Sequence, residues 1–75
     1  MTRLKLNAGK MHGISPSDVV GTIAQHADIP GSAIGAIHIQ SKQTLVDVPE
    51  SLVEQVLSKN GRYRIRKHSI TVNRA

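Results

Sequence analysis

Along this chain, segments whose apolar residues recur at every second position alternate with segments in which they recur every three or four. That order constrains the fold more than any other property of the sequence. Leu4 and Leu6 alternate with polar neighbours over residues 3–7 and predict a strand with both leucines turned inward. Residues 9–13 then read as a loop. Ser15-Pro16-Ser17-Asp18 predicts a helix start: Ser15 can cap, Pro16 suits the first helical position, and Asp18 meets the positive end of the helix dipole. Val19, Val20, Ile23, Ala24 and Ala27 follow at helical spacing. Gly21 interrupts that helix at a cost of about 1 kcal/mol against Ala, and close packing on a sheet is the expected reason. Residues 35–40 predict a strand with Ile37 and Ile39 inward. Ser41-Lys42 forms a short connection, and residues 44–48 predict a strand with Val46 and Val48 inward, ended by Pro49. A second helix is expected over residues 50–58, with Leu52, Val53, Val56 and Leu57 on one face and Asn60-Gly61 as its stop. Ile70 and Val72 belong to a last strand, with Ile65 entering the core just before it.

The order β-α-β-β-α-β predicts an α+β fold, a four-stranded antiparallel sheet with both helices packed on one face. The other face is then left open and carries Lys5, His38, Gln40, Gln43, Leu45, Asp47, Thr71 and Asn73. Such a polar face has no stability role and is a natural docking surface. Seventy-five residues make one small domain, 1–75, which buries roughly 60% of the surface its unfolded chain exposes. Without cysteine, neither a disulfide nor a thiolate metal site can reinforce it. No apolar run approaches the ~20 residues that span a bilayer, and no signal-peptide pattern opens the chain, so a cytoplasmic domain with no membrane partner is expected.

The net charge is +5, and its distribution says more than its size. Residues 1–54 hold Arg3, Lys5, Lys10, Lys42 and all five acids, whereas residues 55–75 hold six basic side chains and no acid. A basic block at one end points to a polyanion, nucleic acid before an anionic membrane, against the plain alternative of a solvated face kept for solubility. The motifs of catalysis are absent. Gly9-Lys10 is followed by Met11 where a phosphate-binding loop requires Ser or Thr. His12, His26, His38 and His68 show no metal-ligand spacing, so no metal or other cofactor is expected. An acylphosphatase-like enzyme would share the element order but needs an Arg in the first loop, where this chain has only Lys10.

RNA-binding sheets of this topology present two or three rings on which bases stack. Here Tyr63 is the only aromatic residue, and Lys5, Gln43 and Leu45 occupy the positions where rings would sit. Stacking, worth about 1–3 kcal/mol per base, is largely missing. The tools that remain are phosphate contacts from Arg62, Arg64, Arg66 and Lys67, expected to cluster beside the uncovered sheet, with Lys5 and the His38 imidazole on that sheet. They suit structured RNA, read by shape and backbone.

The stretches DVVGTIAQHADIPGSAIGAIHIQ, TLVDVPESLVEQVL and RIRKHSITVNRA resemble the DbpA-type RNA-binding domain, an RRM-like module at the C-terminus of bacterial DEAD-box RNA helicases. The resemblance runs from about Arg3 to Val72. It implies the RRM-like (ferredoxin-like) form of the fold above and a monomeric module without catalysis of its own. It also implies a role in tethering the ATP-driven helicase core of a parent chain to structured RNA, ribosomal RNA being the expected class. The matching positions are Arg3 and Lys10 around the first strand, Lys42 and Gln43 in the hairpin, and Arg64, Arg66 and Lys67. This chain departs from the family in having no aromatic near Lys5 or Leu45, and Lys67-His68 where many members have a turn glycine. The alternative reading is a protein–protein or dimerisation module using the open sheet face, with Leu45 as its apolar centre.

Overall fold

The computed structural model describes residues 1–75. Strand β1 (Thr2–Leu6) leads through a single 3-10 turn at Lys10–His12 into helix α1 (Pro16–Ala27). Strands β2 (Ile37–Ile39) and β3 (Thr44–Val48) form a hairpin, helix α2 (Glu50–Leu57) follows, and the chain ends in β4 (Arg64–Ile65), β5 (His68–Ser69) and β6 (Val72–Arg74). The main sheet has the order β2-β3-β1-β6, every neighbouring pair antiparallel. The expected α+β architecture is therefore the observed one.

Register explains which side chains meet the helices. Leu4 lies opposite Val46 and Arg74, while Leu6 lies opposite Thr44 and Val72, so these residues share one face. Leu4, Leu6, Val46, Val48 and Val72 are buried there beneath Val19, Ile23 and Ala27 of α1 and Val53 and Val56 of α2. Burying each such aliphatic side chain contributes about 1.5–3 kcal/mol against leaving it in water. Thr44 enters the same layer because its hydroxyl donates to the Ala8 carbonyl at 2.8 Å. Val20 and Ala24, expected in the apolar stripe of α1, are only half-buried, and Thr22 is buried instead.

Two expectations are corrected here. A Cβ at Gly21 would meet no atom within 4 Å, so close packing does not explain this glycine. The region before the last strand is also not a simple approach to the sheet. Residues 64–69 fold into a separate two-stranded ribbon that turns at Arg66 and Lys67. The cause is a pair of buried residues. Tyr63 is wedged between the helices, its hydroxyl donating to the Val56 carbonyl at 2.6 Å and its ring meeting His26 edge to face at 6.1 Å. Ile65 is buried as well, and the Thr22 hydroxyl fastens Arg64 to α1, donating to its carbonyl at 3.1 Å and accepting from its N–H at 3.3 Å. Ile70 is buried outside the ladder, and its N–H donates to the Tyr63 carbonyl. Asn60 guards the free edge of β6: its amide donates to the Val72 carbonyl and accepts from the Val72 N–H, both at 2.8 Å.

Tyr63→Phe should cost about 1 kcal/mol, the usual net worth of one hydrogen bond. Burial pushes the Tyr63 phenol up to about 12. A folded pKa above the unfolded value means that this contribution is complete below pH 10, where the unfolded chain's tyrosine is neutral, and is lost as pH rises towards 12. Urea unfolding between pH 9 and 12 should show the wild-type advantage over Tyr63→Phe shrinking above pH 10. A constant difference would show that the phenol ionises alike in both states.

Candidate nucleic-acid interface

Three turns distant in sequence meet at one end of the domain. The first is the segment 9–13. Its Lys10 and Met11 N–H groups donate to the carbonyls of Gln40 (2.7 Å) and Ser41 (3.0 Å), which docks it on the β2–β3 turn. Gly9 makes that approach possible: a Cβ there would collide with the Gln40 carbonyl and lie 2.6 Å from the Gln43 nitrogen. The Gly9 N–H donates to His12 Nδ1 at 3.1 Å, and Gly13 closes the turn at φ 75°. The third turn arrives from β4–β5. Arg66 Nε donates to the Gly13 carbonyl at 3.2 Å, and the His68 ring meets the His12 ring edge to face at 5.3 Å. Arg66 itself turns the chain at φ 55°, an uncommon conformation for a residue with a side chain.

This end gathers Lys10, Lys42, Gln43, Arg66 and Lys67, five of the residues expected from sequence. Gln43 donates its side-chain amide to Gln40 Oε1 at 2.6 Å, which ties it to the turn. The other five lie elsewhere. Lys5 and His38 flank Leu45 in one row of the open face, where Lys5 also neighbours Asn73. Arg3 belongs to the next row and is held by Asp47 through two hydrogen bonds of 2.9 and 3.3 Å. Arg62 follows α2, and Arg64 lies along α1. The expected single cluster of Arg62, Arg64, Arg66 and Lys67 beside the uncovered sheet is therefore not formed. Burial of Tyr63 and Ile65 draws the segment onto the helix layer instead.

Every ion pair in the domain is made by an arginine, though not every arginine makes one. Three arginines engage four of the five acids: Arg3 with Asp47, Arg66 with Asp18 at 3.6 Å, and Arg74 with Glu50 at 3.7 Å and Glu54 at 3.4 Å. The Arg3 guanidinium holds the Asp47 carboxyl below its ordinary range, and Arg3 is raised in turn. The Asp18 carboxyl is lowered chiefly by the backbone N–H and hydroxyl of Ser15, both donating to it at 3.0 Å, with Arg66 adding to the effect. No carboxylate pairs with Lys5, Lys10, Lys42, Lys59, Arg62, Arg64 or Lys67. At the convergent end, Lys10, Lys42 and Lys67 are thus exposed cations from three different turns.

Met11, His12 and His68 also belong to this end and were not among the expected contacts. Met11 is 66% exposed between Lys10 and His12, an apolar tip in a basic surround. The bracketing Gly9 and Gly13 were the available signal, since two glycines four positions apart suggest a tight turn; nothing in sequence pairs His12 with His68. No third ligand joins the two imidazoles to make a metal site. No helix is long and apolar enough to cross a membrane.

Comparison with known proteins places these features in context. Residues 3–74 match the family model described as the DbpA RNA binding domain. Over 65 residues, 87% of the chain, the sequence is 34% identical to the protein named ATP-dependent RNA helicase DeaD in each of two strains of Mycobacterium tuberculosis. The chain spans 12% of the length of those relatives.

Because the Gly9 contact joins the first two turns, Gly9→Ala should destabilise the domain by about 1–3 kcal/mol, the range for overpacking. Amide chemical-shift changes should concentrate at residues 9–13 and 40–43. Changes spread evenly over the sheet would contradict a local docking role.

Proposed function

The chain belongs to the family of DbpA RNA binding domains, and from that premise we propose that it is the targeting module of a DEAD-box RNA helicase. It tethers the ATP-driven core to structured RNA, ribosomal RNA above all, and works by binding rather than by catalysis of its own. The observation that carries this reading is the convergence of Lys10, Lys42 and Lys67, each without a carboxylate partner, on a surface assembled from three turns. Lysine ammonium groups on such a surface act as point charges toward a phosphate backbone and carry no base preference. The sole Phe, Tyr or Trp, Tyr63, is buried, so the open face offers no ring beyond the His38 imidazole on which a splayed base can stack. A duplex or hairpin, recognised through its backbone and shape, suits these groups better than a single strand.

Binding should be measured against salt with an RNA hairpin, a single-stranded RNA of equal length and the matching DNA hairpin. The RNA hairpin should bind tightest, with log K falling linearly against log salt. Lys10→Ala, Lys42→Ala and Lys67→Ala should each flatten that slope by about 0.7–0.9. Arg3→Ala should leave it unchanged, because Asp47 holds that guanidinium on the far part of the open face. A slope that responds to Arg3 and Lys5 but not to these lysines would move the interface to the sheet. Absence of binding at low salt would overturn the RNA reading and favour a protein partner over Leu45.

A further inference from the structure

We propose that the cleft between α1 and the β4–β5 ribbon receives a single unpaired nucleotide of the bound RNA, a proposal that rests on the RNA-binding reading above. The cleft encloses about 250 Å³. That is below the roughly 300–1,000 Å³ of sites for drug-sized ligands, so its occupant is one base-sized group. Two rows of α1 make the floor, Ser17-Gly21-Gln25 and Asp18-Thr22-His26, each at a spacing of four residues that places them on one side of the helix. Arg64, Ile65 and Arg66 make the facing wall, and Ile65 is the only apolar residue among all of these.

Gly21 is the key to the reading. It sits in mid-helix, where glycine is unfavourable, and neither packing nor a positive φ requires it. What its missing side chain leaves is a bare stretch of helix at the centre of the cleft, between Ser17 and Gln25. A planar group can lie against that stretch; a side chain there would occupy the space.

The polar groups around it have capacity to spare. The Gln25 amide and the Arg64 guanidinium are exposed, and neither forms a side-chain hydrogen bond within the protein. An amide side chain can pair bidentately with a base edge, and a guanidinium with a phosphate. The Thr22–Arg64 hydrogen bonds hold the wall at fixed distance from the floor. Arg66 belongs both to this cleft and to the convergent turns, through Gly13. RNA docked on Lys10 and Lys67 therefore passes the mouth of the cleft, which favours a nucleotide over an acidic peptide as the occupant.

The test compares an RNA hairpin carrying a one-nucleotide bulge with its fully paired counterpart, using wild type, Gly21→Ala, Gly21→Gln and Gln25→Ala. Wild type should prefer the bulged RNA by about fivefold or more, the lower end for one bidentate contact between a side chain and a base edge. Gly21→Gln should abolish that preference while leaving affinity for the paired hairpin and its salt slope unchanged. Both Gly21 variants should melt at or above the wild-type temperature, since open space lies above this position and both residues are better helix formers, so a folding defect cannot account for the loss. Gln25→Ala should reduce the preference. Equal wild-type affinity for the two RNAs, or a preference that survives Gly21→Gln, would overturn the cleft proposal and leave the tethering reading intact. An effect of Gly21→Gln on an acidic peptide and on neither RNA would assign the cleft to a protein partner and likewise overturn it. Binding of neither RNA by wild type would overturn both readings.

Discussion

Burial of Tyr63 between the two helices is the constraint on which the arrangement of the basic residues depends. The ring is the largest side chain in the core, and its hydroxyl must find a partner there, which the Val56 carbonyl at the end of α2 supplies. With Tyr63 held, the following residues cannot run straight into the sheet. Ile65 is drawn onto α1, the chain reverses at Arg66 and Lys67, and Ile70 returns it to β6. The reversal delivers Arg66 to the Gly13 carbonyl and His68 to the His12 ring. The buried ring thus decides where the cations stand.

Arg3, Arg66 and Arg74 serve the domain's own structure. The guanidinium fork suits bidentate or multiple contacts, and Arg3, Arg66 and Arg74 each bind acceptors of their own chain, linking β1 to β3, the ribbon to α1, and β6 to α2. The lysines at the convergent turns are left as compact, hydrated charges with no carboxylate partner. The arginine pairs absorb most of the acids, so the net positive charge is expressed where no carboxylate competes for it.

Much of the architecture was legible because it rests on periodicity. The inward residues of β1 and β3 follow from spacing, and the register bears them out, while the start of α1 follows from the capping residues Ser15, Pro16 and Asp18. Gly21 was misread because mid-helix glycine has two explanations, close approach or deliberate vacancy, and only the surroundings distinguish them. The segment after Gly61 was misread for a different reason. Ile65, Ile70 and Val72 read as a last strand and its approach, because a strand of two residues paired only with its neighbour leaves little periodic signal.

Among the candidate contacts, Lys10, Lys42 and Lys67 were recognisable as basic and exposed, but they lie in turns from three parts of the chain. Local sequence determined the two layers, the open sheet face, the surplus of positive charge and the lack of a stacking platform, since these depend on the pattern and chemistry of neighbouring residues. Only the tertiary structure decided which cations share a surface, which are tied to carboxylates, and that a cleft opens over Gly21. Those depend on contacts between distant residues, such as Gly9 against Gln40, Gly13 with Arg66, and Thr22 with Arg64, whose partners no local spacing specifies.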